Sequence, residues 1–342
     1  MDKKKITFAD IAKYTNFSKT TISRYFNQPD SLTVENQEII ARALADLNYQ
    51  ENKLAKVFAN GKSEFVGIIV PNLYLHYYAE MLNQILNTYE EFGYKFLIFT
   101  SKNGEEAERK YLNELLAYRI EGMIILSHTI PSRELADLGI PVVGIEREDE
   151  YINSINTDNY MGAVQGTSLL IKNNCDVLVH INSEVAKNVP SYGRIQGFLD
   201  TCQEHQIPHE IILRDLGHSH QEIHQCMQQI YEYVKKKYPC QKKGLFLSND
   251  THANSMLNII FREYGTLPDT YRLIGFDDSP ASSQAILPIS TIGQQIDRIA
   301  YEAMSLLVTL MEERKKRRPK PQTTLIHKNI TPVFIRRETT DE

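Results

Sequence analysis

Apolar and polar positions alternate differently in the two parts of the chain. Over the first fifty residues the apolar positions recur at helical spacing in three short stretches. Ile6, Ile11 and Tyr14 supply the apolar side of a first helix ending near Tyr14, opened by a capping box of Thr7 and Asp10. Thr15-Asn16-Phe17 then leads to Ser18, an N-cap for a second helix running to about Phe26, with Ile22 and Phe26 facing inward. Thr33 caps a third helix whose stripe is Val34, Ile40, Ala43, Leu44 and Leu47.

After Gly61 the pattern becomes one of short, nearly continuous apolar runs. Strands are expected at 66–70, 95–99, 122–126, 141–145, 176–181, 244–248 and 272–276. Between them lie amphipathic segments such as 77–92, 105–119, 160–172 and 251–264. Apolar strands separated by helices imply parallel sheets buried on both faces, an α/β class, with ligands held beyond the carboxyl ends of the strands.

The chain has 342 residues, 42% hydrophobic and 24% charged, which suits two or three globular domains and excludes disordered or collagen-like chains. No apolar run is long enough to span a bilayer, and the N-terminus lacks the apolar core of a secretory signal. Four dispersed cysteines suit a reducing cytoplasm better than a disulfide framework or a zinc site. Net charge changes the picture more. Residues 1–62 carry ten Lys and Arg against seven Asp and Glu, whereas the remainder carries 28 against 36. A small basic head on an acidic body suggests a nucleic-acid reader joined to something else.

The head fits that suggestion. Two short helices joined by a three-residue turn, the second exposing Lys19, Thr20, Ser23 and Arg24, form a helix-turn-helix whose second helix enters the major groove of DNA. Dinucleotide-binding, P-loop and esterase-elbow motifs are absent, so no cofactor and no enzymatic activity are expected. His205, His209, His218, His220 and His224 lie in a polar, Gln-rich region without cysteines at zinc spacing and read as surface residues; no metal is expected. Glu146 to Glu150 reads as a solvated turn, and the cations of 314–318 as the end of a long helix stopped by Pro319 and Pro321.

ITFADIAKYTNFSKTTISRYFNQ, followed by ARALADLNYQENKLAKVFANGKS and FVGIIVP, resembles the lactose repressor/galactose repressor (LacI/GalR) family of bacterial transcription regulators in motif order and spacing. The body resembles it more loosely, through Tyr192-Gly193-Arg194, Ser248-Asn249-Asp250, Gly275-Phe276-Asp277-Asp278 and Ser290-Thr291-Ile292-Gly293-Gln294. Asn173-Asn174-Cys175 replaces a commoner glycine-histidine turn, and Glu146 stands where aspartate is frequent.

The resemblance implies a helix-turn-helix domain at 1–50, a hinge helix at 51–62 and an effector-binding, dimerising core at 63–342. That core resembles periplasmic binding proteins: two doubly wound parallel-sheet subdomains, one about 63–158 plus 292–320, the other about 159–291 plus 321–337. Lys19 and Thr20 would choose bases. Thr7, Ser18, Thr21, Ser23, Arg24 and Asn27 would hold phosphates or the recognition helix. In the hinge, Asn52, Lys53, Ala55 and Lys56 would meet DNA, with Phe58 as an apolar wedge in the minor groove where the family more often has leucine.

Arg194, Asp250 and Asp277 would point into the cleft, with Glu146 and Gln294 beside them. Tyr77 and Tyr78 would cover the apolar face of a sugar, a suitable set for vicinal hydroxyls. Expected partners are pseudo-palindromic operator DNA, a small carbohydrate or sugar-phosphate effector and a second copy of the chain, with no membrane. Helix faces around Leu82–Leu86 and Met256–Ile260 are candidate dimer contacts. A dimer is expected rather than a tetramer, since no leucine-heptad tail follows Ile335. The alternatives are control by a protein partner, or a carbohydrate-binding protein with no regulatory role.

Overall fold

The computed structural model describes residues 6–50, 63–101, 104–187, 189–318 and 324–340. The chain forms two compact units, 1–62 and 63–342. The expected hinge positions and Pro319 and Pro321 lie outside the described residues.

In the first unit the helices are α1 (Phe8–Thr15), α2 (Lys19–Asn27) and α3 (Val34–Asp46). Thr7 donates its backbone N–H and hydroxyl to Asp10 Oδ2 at 2.8 and 2.6 Å, closing the capping box. Asn16 turns the chain in the left-handed region (φ 58°), and Ser18 Oγ accepts from Thr21 N at 3.1 Å. Ile11, Ile22, Ile40 and Ala43 form the buried centre, with Phe8 and Phe26 stacked at 5.2 Å beside it. Two expected core positions are corrected. Tyr14 is 56% exposed because its hydroxyl reaches Asp46 at 3.0 Å, and Phe8 packs in its place. Val34, in the first turn of α3, is 73% exposed and lies off the stripe.

The second unit contains two six-stranded sheets. The first has strand order β11-β5-β4-β3-β1-β2, all parallel: β1 (Phe65–Val70), β2 (Lys95–Thr100), β3 (Gly122–Ile125), β4 (Val142–Ile145), β5 (Asn153–Thr157) and β11 (His327–Ile330). The second has order β12-β10-β9-β8-β6-β7: β6 (Val177–Asn182), β7 (His209–Leu213), β8 (Lys243–Leu247), β9 (Tyr271–Asp277), β10 (Ser290–Gly293) and β12 (Val333–Ile335). Among the described strands β12 alone runs antiparallel to its neighbour.

The helices flanking the first sheet are α4 (His76–Asn87), α5 (Tyr89–Phe92), α6 (Gly104–Ala117), α7 (Ser132–Ala136) and, late in the chain, α13 (Ile296–Lys315). Those of the second are α8 (Asn159–Lys172), α9 (Tyr192–Glu204), α10 (His220–Lys237), α11 (Asp250–Tyr264) and α12 (Pro280–Ser283). Helix α13 lays Ile296, Ile299, Ala300, Ala303, Met304, Leu307 and Met311 against the first sheet, one stripe at helical spacing.

Strand pairing corrects the expected subdomain boundaries. β10 sits between β9 and β12 in the second sheet, so the chain returns to the first sheet only at α13. β11 pairs with β5, so residues 327–330 belong to the first sheet, and the chain crosses back at β12, after which Arg337, Thr339 and Thr340 bond to β9 and β10. The three passes therefore fall at Asp158, at Gln294-Gln295 and at Thr331-Pro332. They are bonded to one another. Thr157 Oγ1 donates to Gln294 Oε1 at 2.6 Å, Asp158 N donates to Ile330 O at 2.9 Å, and Gln295 Nε2 donates to Thr331 O.

The Met256–Ile260 segment is also corrected. Met256, Leu257 and Ile260 are fully buried in the core of the second subdomain and offer no face to a partner. On α4, Leu82 packs on the core while Leu86 is exposed.

Candidate functional site

The carboxyl ends of the strands in both sheets, together with the three passes, bring most of the expected effector residues to one place. Arg194, from the first turn of α9, lays its guanidinium 3.7 Å from the centre of the Phe276 ring. Its Nε donates to Asn159 Oδ1 at 2.7 Å and its Nη1 to Ser248 O at 2.6 Å. Asn159 in turn donates to Glu146 Oε2 at 2.7 Å, and Thr157 N donates to the other oxygen of Glu146. The expected solvated turn is corrected here: Glu146 and Arg147 are buried, each held by a set of hydrogen bonds.

Asp277 closes the other side. Its Oδ1 accepts from Gln294 Nε2 at 2.5 Å, so Thr157, Gln294 and Asp277 form a chain across two passes. Burial pushes the Asp277 carboxyl well above its usual range, with the nearby Arg194 charge opposing the shift. Glu146, Asp277, Asp278 and Gln295 all have positive φ (54°, 113°, 57° and 53°). Such strain in non-glycine residues is characteristic of sites where geometry matters more than local stability.

Tyr77 and Tyr78 stand on the first turn of α4 with their rings 5.2 Å apart, edge to face. The Tyr77 hydroxyl is buried without a hydrogen-bond partner. Burial raises both phenol pKa values, the Glu146 and Asp277 charges raise them further, and Arg194 lowers them. All five groups thus share one electrostatic neighbourhood. Its polar atoms suit a hydroxyl-rich ligand: an unengaged phenol, a carboxylate with one oxygen bonded, and a guanidinium stacked on a ring.

Asp250 departs from expectation. It is fully buried, and its oxygens accept from Thr291 Oγ1 at 2.6 Å, Ser279 N at 2.7 Å and Ser279 Oγ at 3.2 Å. Burial pushes its pKa up to about 7 against these bonds. A Cβ at Gly275 would lie 2.2 Å from its Oδ1, so the carboxylate packs against β9, and its bonds fasten α11 to β10 and to the start of α12. Asn159, Thr157, Ser248 and Phe276 were not expected at the site. Thr157 and Asn159 flank the first pass at the end of β5, a strand too polar to be read as one.

In the head, Lys19, Thr20 and Arg24 are exposed on α2, and Thr21 and Ser23 are half-buried. Thr7 and Ser18 have their hydroxyls engaged at helix starts, and Asn27 donates its amide to Ser23 O at 2.9 Å. Asn52, Lys53, Ala55, Lys56 and Phe58 lie outside the described residues.

Three sequence families match. Residues 7–52 match "Bacterial regulatory proteins, lacI family", residues 63–251 match "Periplasmic binding proteins and sugar binding domain of LacI family", and residues 168–339 match "Periplasmic binding protein-like domain". The chain belongs to the LacI family. LacI-family proteins are DNA-binding transcription regulators without enzymatic activity. The chain is 24% identical over 334 residues to the ribose operon repressor of Halalkalibacterium halodurans, covering 97% of each. It is 26% identical over 300 residues to the sucrose operon repressor of Streptococcus mutans, covering 87% of this chain and 91% of the relative. A solved lac repressor dimer bound to operator and the anti-inducer ONPF shares the fold, with TM-score 0.82 and 21% identity, covering 98% of this chain and 99% of the other. Among the described residues no helix is long and apolar enough to cross a membrane.

Proposed function

We propose that this LacI-family regulator is a cytoplasmic homodimer that represses carbohydrate-utilisation genes, and that a small sugar-like effector in its inter-subdomain cleft sets operator affinity. The observation that carries the reading is the convergence of Tyr77, Tyr78, Arg194 and Asp277 from both subdomains beside the bonded passes. The first three residues and Asp277 contact the ligand. Glu146 and Gln294 hold Arg194 and Asp277 in place. A ligand touching both subdomains favours the arrangement in which they lie close, and so shifts the equilibrium that the DNA-binding heads sense.

On the DNA side, Lys19 and Thr20 read base edges, Thr7, Ser18, Thr21, Ser23, Arg24 and Asn27 fix the helix on phosphates, and two heads occupy half-sites of a pseudo-palindromic operator. Asn52, Lys53, Ala55, Lys56 and Phe58 extend the contact into the minor groove, with Phe58 as the wedge. The names of the ribose and sucrose operon repressors support a sugar over other metabolites.

Thermal-shift measurements against sugars, sugar phosphates and sugar acids test the reading. A ligand at one hundred times its Kd adds about 2.7 kcal/mol to the native state. The same ligand must change affinity for the cognate operator in a gel-shift assay. A compound set that shifts neither melting temperature nor operator affinity overturns it.

A further inference from the structure

A cavity of about 460 Å³ is lined by none of the expected effector residues. Three loops at carboxyl strand ends enclose it: those after β3, β4 and β6. It is joined to the first site through the chain itself. Arg147, in its wall, follows Glu146 directly, and Val189 and Pro190 form the turn that starts α9, accepting from Tyr192 N and Gly193 N at 2.9 and 3.0 Å. We propose that this cavity is a second sugar subsite, so that the effector is a disaccharide or longer neutral saccharide with one ring at Arg194 and the next against Tyr151. The proposal rests on the reading of the first site as a sugar site.

The walls match an uncharged ring. Tyr151, Pro131, Val189 and Pro190 supply apolar surface, and Tyr151 is a 39% exposed aromatic whose hydroxyl is bonded to Glu150. The charges balance: Arg133 and Arg147 face Glu148 and Asp149. The Arg147 guanidinium donates to Ser132 Oγ at 2.8 Å and to the carbonyls of Ser127 and Ile130, so its N–H groups are engaged and it forms part of the wall. Glu148, one oxygen of which accepts from Asn156 Nδ2 at 3.1 Å, and His128 are the exposed polar groups offered to hydroxyls. The volume is within the roughly 300–1,000 Å³ usual for small-molecule clefts.

The test is calorimetry on the full chain with glucose, fructose, ribose, glucose 6-phosphate, sucrose, maltose and cellobiose, repeated with Tyr151→Ala and Val189→Trp. Operator binding serves as the folding control, so either variant alone suffices if the other fails to fold. The expected result is a disaccharide binding at least tenfold tighter than each of its constituent monosaccharides. Both variants should cut that affinity at least tenfold while monosaccharide affinity stays within twofold. A disaccharide binding no tighter than its parts, unchanged binding in both variants, or tightest binding by glucose 6-phosphate overturns the second subsite and leaves the first site standing. If no sugar in the set binds, both readings fall.

Discussion

Arg194 lies with its guanidinium carbon 3.7 Å from the centre of the Phe276 ring, while the same side chain donates to Asn159 and to the Ser248 carbonyl. Stacking and hydrogen bonding fix the plane of the group, and a fixed fork is what distinguishes arginine from lysine. Arg194→Lys keeps the charge and loses both the stack and the fork. Effector affinity should fall by about 1.5–3 kcal/mol, roughly ten- to a hundredfold, with basal operator binding retained. Calorimetry and gel shifts on one preparation check it; wild-type effector affinity would refute the contact.

The first turn of α11 carries two groups that tilt stability in opposite directions with pH. Burial pushes His252 down to about 4, and its Nδ1 pairs with Ser248 Oγ at 2.8 Å. An unfolded histidine titrates near 6.5, so the unfolded chain takes up the proton first and stability falls as pH drops from about 6.5 to 4. Asp250, raised to about 7, keeps its proton longer in the folded state. Its contribution is complete below about pH 4 and is lost as pH rises through 7. The stability advantage of wild type over His252→Gln should therefore shrink by up to about 3 kcal/mol between pH 6.5 and 4. Urea denaturation at several pH values measures that difference; a constant gap means that His252 is not held neutral by burial.

Lys19 and Arg24 are both exposed on α2, and they should behave differently on DNA. Lys19→Ala should relax base preference at one operator position, at a cost of about 1–3 kcal/mol on the preferred sequence. Arg24→Ala should weaken all sequences evenly and reduce the salt dependence. Selection from randomised operators separates the two outcomes. Unchanged preference in both variants would remove α2 from the major groove.

Of the two expected dimer faces, the one on α4 keeps an exposed apolar residue, Leu86 at 37%, once the Met256 segment is seen to be core. Sedimentation equilibrium near micromolar concentration should give about twice the 39.4 kDa chain mass. Leu86→Arg should move it toward the single-chain value. An unshifted dimer places the contact elsewhere, and a single-chain mass for the wild type removes the dimer.

The features read best in the sequence were those with a short-range cause. Thr7, Ser18 and Thr33 start helices through hydrogen bonds to residues three positions on, Thr7 with the Asp10 carboxylate and Ser18 and Thr33 with the backbone N–H of Thr21 and Asn36, and all three caps are where the sequence puts them. The apolar runs marked seven strands because both faces of a parallel sheet are covered. β5 escaped that signal. Its residues Asn153, Ser154 and Asn156 are buried yet polar, satisfied by Ile326 N, His327 and Arg147 N, the first two of these partners lying 173 residues away in sequence. With β5 unread, no strand end existed on which to collect Thr157 and Asn159. Asp250 misled for a related reason: a carboxylate after a strand end points to a ligand or to a neighbouring strand, and only the close approach of Gly275 decides which.

The stitching of the three passes restricts how the body can move. A single connecting peptide would let the halves swivel, slide and twist. Here Thr157 is tied to Gln294, Asp158 to Ile330 and Gln295 to Thr331, so the passes form a seam instead of separate strings. A seam bends readily along its own line and resists shear and torsion. The halves are thereby left with one easy coordinate, opening and closing like the covers of a book, and Gln294 is at once part of the spine and a hydrogen-bond partner of Asp277 on the page edge. A molecule held between the covers acts directly on the binding, with no need for a relay through the packed interior.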